Sequence, residues 1–405
     1  MIKTNINNFV NSKVIFRNES LFSKDLLKFN LELQNSITNK NVLVIGGAGS
    51  IGSSYIKAIL QFNIKSLVVI DVNENALTEL VRDLRSSLDY NIPELFITYP
   101  IDFGNKIFEK IFEKYGPFEI ISNFAAHKHV RTEKDVFSIE AMIENNFFKA
   151  KKLLDLLKKH PPEHFFCVST DKAANPVNIM GATKKLMEEL ILSYSSFFPV
   201  KTARFANVAF SNGSLLLGFI NRLINNQPLS CPSDIRRFFV SSQESGHLCL
   251  IASILGESGD VFFPKLDEKK DMISFEKITK DLLNYLGLEI DICKTEHEAK
   301  KKSKSLSYDS KKIPVFFFES NTTGEKKFEE FYSSKEVLDL KTYHKLGVIK
   351  NSNQSDFNKI DMINKDLKSL FFRKNFNKNE IVSILKKYLS NFNHIETGNY
   401  LDQKM

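Results

Sequence analysis

The chain has 405 residues, 42% of them hydrophobic, and a net charge of +8, ample for a sizeable core and two or three domain equivalents. Basic residues are spread along the chain rather than gathered in one arm, which sets aside a nucleic-acid role and suits an anionic, phosphate-bearing substrate. Cys167, Cys231, Cys249 and Cys293 are scattered, with no C-x-x-C, and no apolar run approaches the roughly 18 residues that span a bilayer. Together with the absence of a signal-peptide core, this predicts a soluble cytoplasmic protein without a zinc site.

Residues 1–38 read as an N-terminal arm with some helix around Leu21 to Leu33. Asn41 to Ile45 is a short apolar run expected to be a buried strand, and Gly46-Gly47-Ala48-Gly49-Ser50-Ile51-Gly52 follows at once. A helical pattern (Ile56, Ile59, Leu60) and a second buried strand, Ser66 to Ile70, come next, ending in Asp71. A strand that turns into a helix through glycines brings backbone N–H groups up to a pyrophosphate, and an acid closing the second strand can accept from both ribose hydroxyls. The glycines are spaced G-x-x-G-x-x-G rather than G-x-G-x-x-G. The reading is nonetheless a dinucleotide site formed by Gly46, Gly49, Ser50, Ile51, Gly52 and Asp71.

Further strands are predicted at Leu95 to Tyr99, Phe118 to Ser122, His164 to Ser169 and Lys201 to Phe205. Amphipathic segments at Val136 to Lys159 and Met180 to Tyr194 separate them. This alternation predicts an α/β fold with a doubly wound parallel sheet over residues 39–210. Asp102 follows the third strand. Ala125 and Ala126 follow the fourth, where small residues let a dinucleotide lie close, and Lys128 stands at the same lip. His127 and His129 flank that lysine; they lack partners for a metal and read as turn residues. Residues 211–350 read as a smaller mixed substrate lobe with a helix at Phe275 to Leu286 and a loop-rich stretch over 290–335. The cluster Lys300-Lys301-Lys302-Ser303-Lys304 reads as a solvated loop. Residues 351–405 read as a helical tail with one helix, Asn379 to Leu389.

The most informative stretch runs from Ser169 to Pro176 and on to Lys184. It places a hydroxyl (Thr170), an acid (Asp171) and an amine (Lys172) at the mouth of a strand. Lys184 then falls four residues after Met180, on the same helix face. An ordinary dehydrogenase needs tyrosine at position 180 to accept a proton, and methionine cannot. Either the chemistry is dead or Thr170, Asp171 and Lys172 have taken it over.

With these strings in view, the chain resembles the extended short-chain dehydrogenase/reductases, which carry a Rossmann domain. More narrowly, it is similar to the nucleotide-sugar 4,6-dehydratases of surface-polysaccharide synthesis. The likeness runs from about Asn41 to Val240 and rests on Gly46 to Gly52, Asn123 to Val130, Ser169 to Lys184, Arg204 to Val208 and Arg236 to Phe239. The Met-for-Tyr exchange resembles one branch, which tends to retain configuration at C5. The resemblance implies oxidation at C4 of a UDP- or GDP-linked N-acetylglucosamine, loss of water across C5 and C6, and reduction at C6, with NAD, or NADP, ending as it began. Asp71 favours NAD.

Asp171 is then expected to be the acid at the C6 hydroxyl. Lys172 is expected to be the C5 base, made neutral by burial or by nearby Lys184. Thr170 would serve the C4 hydroxyl, and Lys184 the nicotinamide ribose. Asp102 would bond the adenine amino group, Met180 would pack under the sugar, Asn207 would face the diphosphate, and Arg237 (or Arg236 beside it) would clamp a phosphate. The resemblance further implies a homo-oligomer. A 4-epimerase and a silent NAD(P)-binding protein are the alternative readings. Phe328-Glu329-Glu330-Phe331 and the closing Leu401 to Met405 look like an elaboration of a subset, with no chemistry assigned.

Overall fold

The computed structural model describes residues 2–307, 309–350 and 356–398, so Leu401 to Met405 lie outside the described residues. Six strands of the first half are β1 (Asn41–Ile45), β2 (Ser66–Asp71), β3 (Leu95–Pro100), β4 (Ile120–Asn123), β5 (His164–Val168) and β6 (Val200–Ala203). They pair in parallel in the order β6-β5-β4-β1-β2-β3. The sheet grows past β6 through Val261–Pro264, Leu346–Ile349 and Leu338–Asp339, strands that return from the C-terminal half.

Strands covered by helices on both faces must be apolar on both, and here the faces sort by parity. Leu43, Ile45, Val68 and Ile70 enter one core, while Val42, Val44, Leu67 and Val69 enter the other. Chain order reverses direction at β1, which lies between β2 and β4. The connections after β1 and β4 therefore leave toward opposite faces of the sheet, and a crevice opens where their following loops part.

The N-terminal segment is an integral part of the molecule. Phe9, Val10 and Val14 pack into the core of the C-terminal lobe, whereas Phe22, Leu33 and Ile37 join one face of the main sheet. Its helix is two helices, Ser23–Lys28 and Asn30–Ile37, parted at Phe29. Arg17 forks onto the buried Glu244, at 2.5 and 2.8 Å. Buried Asp25 accepts from the backbone N–H groups of His344 and Lys345, tying the arm to the returning strands.

The stretch 290–335 is more regular than its composition suggests. Glu289–Cys293 and Lys312–Phe318 form a parallel sheet with Leu229–Pro232. The lysine cluster is largely the last turn of a helix, Glu296–Ser303, where Lys300 pairs with Glu296 and Lys302 with Glu298 and Asp291. Cations at a helix C-terminus with acids four residues before them stabilise that helix. The tail holds two helices rather than one. Phe357–Phe372 and Lys378–Tyr388 pack onto the main core through Ile360, Ile363, Leu367, Leu370, Ile381 and Leu385.

Candidate active site

A cavity of about 530 Å³ lies at the carboxyl ends of β1, β2, β4 and β5. One wall is the glycine loop. Gly46 sits at φ +74°, and a Cβ there would stand 2.5 Å from the Ala125 nitrogen; a Cβ on Gly52 would stand 2.3 Å from the Gly46 carbonyl oxygen. Only bare backbone permits this approach. The helix Ser50–Ile59 starts from the loop with Gly49 at its N-cap and no side-chain cap, so its N–H groups open toward the cavity. Asp71 fixes the loop, accepting from Ala48 N–H at 3.0 Å and from Asn73 N–H at 2.9 Å.

Ile51, Asp102, Ala125, Ala126 and Lys128 line the same space. Asp102 accepts from Gly104 N–H at 2.7 Å and pairs with Lys149. Sequence reasoning missed that lysine. It also missed Asn146, whose fully buried amide bonds the His127 backbone at both ends and Thr183 on the helix Ile179–Ser193. An asparagine beside Asn145 inside an amphipathic segment carries no local signal of such a clamp.

The opposite wall begins where β5 ends. Thr170 caps the turn Asp171–Ala173 and donates to Asp171 Oδ1 at 2.8 Å. The Lys172 N–H and ammonium reach the same oxygen at 2.9 and 3.1 Å. Hydroxyl, carboxylate and ammonium thus form one bonded chain along the cavity wall. Met180 also lines the cavity, and Lys184 lies beneath it with its ammonium on the Val168 carbonyl oxygen at 2.7 Å. Burial lowers the proton affinity of Lys184.

Lys172 departs from expectation. Burial does push its ammonium down, but Asp171 and then Glu329 outweigh that and hold it above the usual lysine range. Lys184 is occupied with the β5 carbonyl and with Met187, and does not supply the depressing charge.

Asn207 lines the cavity, and its buried Nδ2 has no partner among the described residues, a donor held ready for an acceptor on a ligand. Arg237 is absent from the wall. Its guanidinium turns inward, donating to the carbonyl oxygens of Arg236 and Lys327 and facing Glu325 and Glu329 at 3.8 and 3.9 Å. Its expected phosphate contact is replaced by a structural one. Arg236 is exposed and reaches the Met272 carbonyl oxygen at 3.3 Å.

Behind β5 lies a buried ionic knot. Arg204, fully buried, forks onto Glu188 at 2.6 and 3.0 Å and reaches Glu336 at 2.7 Å. Glu188 also accepts from Ser169 at 2.9 Å, so the knot braces the residue just before Thr170. Glu329 completes the region. It is 4% exposed, comes from a segment remote in sequence, and lies 3.7 Å from the Lys172 ammonium.

The glycine cradle, the acid at the end of β2 and the free Asn207 donor fit a dinucleotide that carries a phosphorylated partner. Comparisons with known proteins agree. An uncharacterized membrane protein of Methanocaldococcus jannaschii is 30% identical over 363 residues, 88% of this chain and 98% of that one. Among the described residues no helix is long and apolar enough to cross a membrane. A UDP-N-acetylglucosamine 4,6-dehydratase (inverting) of Campylobacter jejuni is 28% identical over 57% of this chain and 68% of its own length. A UDP-glucose 4-epimerase of Rickettsia canadensis is 30% identical over 56% and 66%.

Among solved structures, Pen from Bacillus thuringiensis matches at TM-score 0.62 and 23% identity, over 78% of this chain and 89% of that one. The NAD-bound dTDP-glucose 4,6-dehydratase DesIV from Streptomyces venezuelae matches at 0.54 and 16%, over 73% and 89%. These likenesses show that the chain shares the fold of those structures. Residues 42–351 match the family described as polysaccharide biosynthesis protein, and the chain belongs to that family of nucleotide-sugar dehydratases and epimerases.

Proposed function

We propose that this protein is a nucleotide-sugar 4,6-dehydratase acting on UDP- or GDP-N-acetylglucosamine, with NAD held by Gly46, Gly49, Ser50, Ile51, Gly52 and Asp71. The preference for NAD rests on Asp71, since a carboxylate at the end of β2 repels a 2′-phosphate. When bound, the dinucleotide supplies the acceptor that takes hydride from sugar C4 and returns it at C6.

The chain's own residues manage the protons. Thr170 Oγ1, hydrogen-bonded to Asp171, draws the C4 hydroxyl proton toward the carboxylate. The ketone formed at C4 acidifies C5, and the Lys172 amine removes that proton. Asp171 then protonates the departing C6 hydroxyl, which leaves as water, and the Lys172 ammonium returns a proton to C5 as hydride arrives at C6. Lys184 and the Asn207 amide orient ribose and diphosphate. Four buried free cysteines suit a reducing cytoplasm.

The observation that carries this reading is the bonded chain Thr170–Asp171–Lys172 on the cavity wall, with Met180 in place of a proton acceptor. A 4-epimerase on the same scaffold would return hydride to C4 and would need that acceptor. Incubation with UDP- and GDP-N-acetylglucosamine, followed by mass spectrometry, decides. Loss of one water supports the dehydratase. An isomer of unchanged mass supports the epimerase, and an unaltered sugar from protein that has bound NAD overturns both.

A further inference from the structure

Taking the dehydratase reading as given, Lys172 must be a neutral amine when it meets the C5 proton, yet it lies between two carboxylates. Asp171 Oδ1 is 3.1 Å from its ammonium and Glu329 Oε1 is 3.7 Å away. Asp171 is already engaged: Oδ1 also holds Thr170 and the Lys172 backbone N–H, and the carboxyl is committed to the leaving hydroxyl. Glu329 is free of such duties. It is buried, does not line the cavity, and its Oε2 has no hydrogen-bond partner among the described residues. Among the described residues, the charged groups facing the pair are Asp171 beside the lysine, Arg237 at 3.9 Å and Lys326 at 4.0 Å from Glu329, and Glu325 on the far side of Arg237.

We propose that Glu329 is a positioning residue that lets Lys172 become neutral without moving charge out of the protein. The proton passes from Lys172 Nζ to Glu329 Oε1; an N–H bond breaks, an O–H bond forms, and an ammonium–carboxylate pair becomes an amine–carboxylic acid pair of the same total charge. The free amine then takes the C5 proton. Burial favours the neutral pair over the ionic one, since desolvation penalises both ions at once. Burial raises the proton affinity of Glu329 against the pull of Lys172. A contact of 3.7 Å has to close by under an ångström to become a hydrogen bond.

The consequence is a distinctive pH dependence. The shift of a proton within the pair changes no proton count, so the amine population is independent of pH until the pair itself titrates. Without Glu329, the amine appears only by losing a proton to water and grows tenfold per pH unit.

The test is trace acetylation of Lys172 with acetic anhydride in the full-length protein from pH 6 to 8.5, read by peptide mass spectrometry. The logarithm of the reagent-corrected rate should be nearly flat against pH in the wild type and rise with a slope near one in Glu329→Gln. A wild-type slope near one overturns the proposal, whether or not the variant folds. Equal slopes in a folded variant overturn it as well, because a merely structural Glu329 would change the amplitude and leave the slope alone. The dehydration rate should show the same two slopes. Absence of water loss, with the labelling slopes as expected, would overturn the dehydratase reading and leave the Lys172–Glu329 exchange standing.

Discussion

At the scale of single residues, Thr170, Asp171, Lys172 and Glu329 form a series with successive contacts under 4 Å, and each can be removed alone. Lys172 is the sharpest case. On the proposed dehydratase reading, hydride leaves C4 before any proton leaves C5, so a chain without the amine should oxidise the sugar and stop there. Lys172→Ala should lower dehydration by about 10²- to 10⁴-fold, the usual worth of a general base. Reduced-nicotinamide absorbance should still appear on mixing the NAD-loaded variant with the nucleotide sugar. Unchanged water loss, followed by mass spectrometry, would remove Lys172 from the mechanism. The glycine loop gives a second case. An alanine at Gly46 would place its Cβ 2.5 Å from the Ala125 nitrogen at a φ of +74°. The strain is on the order of 1–3 kcal/mol, and it falls where the dinucleotide must lie. Gly46→Ala should therefore weaken NAD binding in a fluorescence titration by far more than it lowers the melting temperature. A variant that binds NAD as the wild type does would show that the loop can relax.

At the scale of elements, the helix Ile179–Ser193 shows what local pattern conveys and what it conceals. Its start was legible because Met180 and Lys184 share a face, and in the structure Asn178 caps it, accepting from the Gly181 N–H. Its second anchor was not. Glu133, from the turn after β4, is 1% exposed and accepts from the Met180 N–H at 2.7 Å. The backbone donors and the helix dipole favour the carboxylate, yet burial outweighs them and pushes its pKa up to about 7. In the unfolded chain the group titrates near its ordinary value of 4.5. Between those values the folded state holds the proton and the unfolded state does not, so this group's contribution to stability falls as pH rises from about 4.5 to 7. Beyond the upper value it amounts to a penalty of up to about 3 kcal/mol. Glu133→Gln keeps an oxygen acceptor for the N–H groups and should raise the melting temperature at pH 8 but not at pH 4.5. Equal shifts at the two pH values would exclude the titration.

The same contrast explains the rest of the reading. Strands β1, β2, β4 and β5 were plain because a strand buried on both faces tends to be a short apolar run, and Thr170–Asp171–Lys172 was plain because its members are adjacent in sequence. Lys312–Phe318 escaped notice because Pro314 interrupts its apolar run and polar, lysine-rich sequence precedes it. Arg237 lies off the cavity wall because Lys327 and Glu329 come to meet it, which nothing local in the sequence signals.

At the scale of the whole molecule, remote segments converge on the loop that follows Lys172. Asn178 donates to the Gly324 carbonyl oxygen at 2.7 Å, and Asn175 reaches Glu330 at 2.9 Å. From the other side the tail lies along the loop: Asn393 N–H reaches the Pro176 carbonyl oxygen at 3.1 Å and Ile395 N–H that of Val177 at 2.9 Å. Glu396 then binds both Thr323 and Lys378, closing the tail onto the 321–325 segment. The apolar mass of the tail lies elsewhere, in the two helices and Phe392, all within the main core. Stability and loop order are therefore carried by different parts of the tail. A chain ending at Phe392 keeps the helices and their burial, on the order of 1.5–3 kcal/mol for each large side chain. Among the described residues it loses the Asn393 and Ile395 hydrogen bonds to the loop, each contributing about 1 kcal/mol, and the Glu396 contacts to Thr323 and Lys378. Its melting temperature should fall by a few degrees while turnover falls at least tenfold, with kcat affected more than KM, because a catalytic pair displaced by an ångström loses its alignment. A chain ending at Lys350 should instead lose solubility, since the face covered by Ile360, Ile363, Leu367 and Leu370 is bared. Full turnover in the chain ending at Phe392 would show that Thr170, Asp171 and Lys172 are held by β5 and the Arg204–Glu188 knot alone.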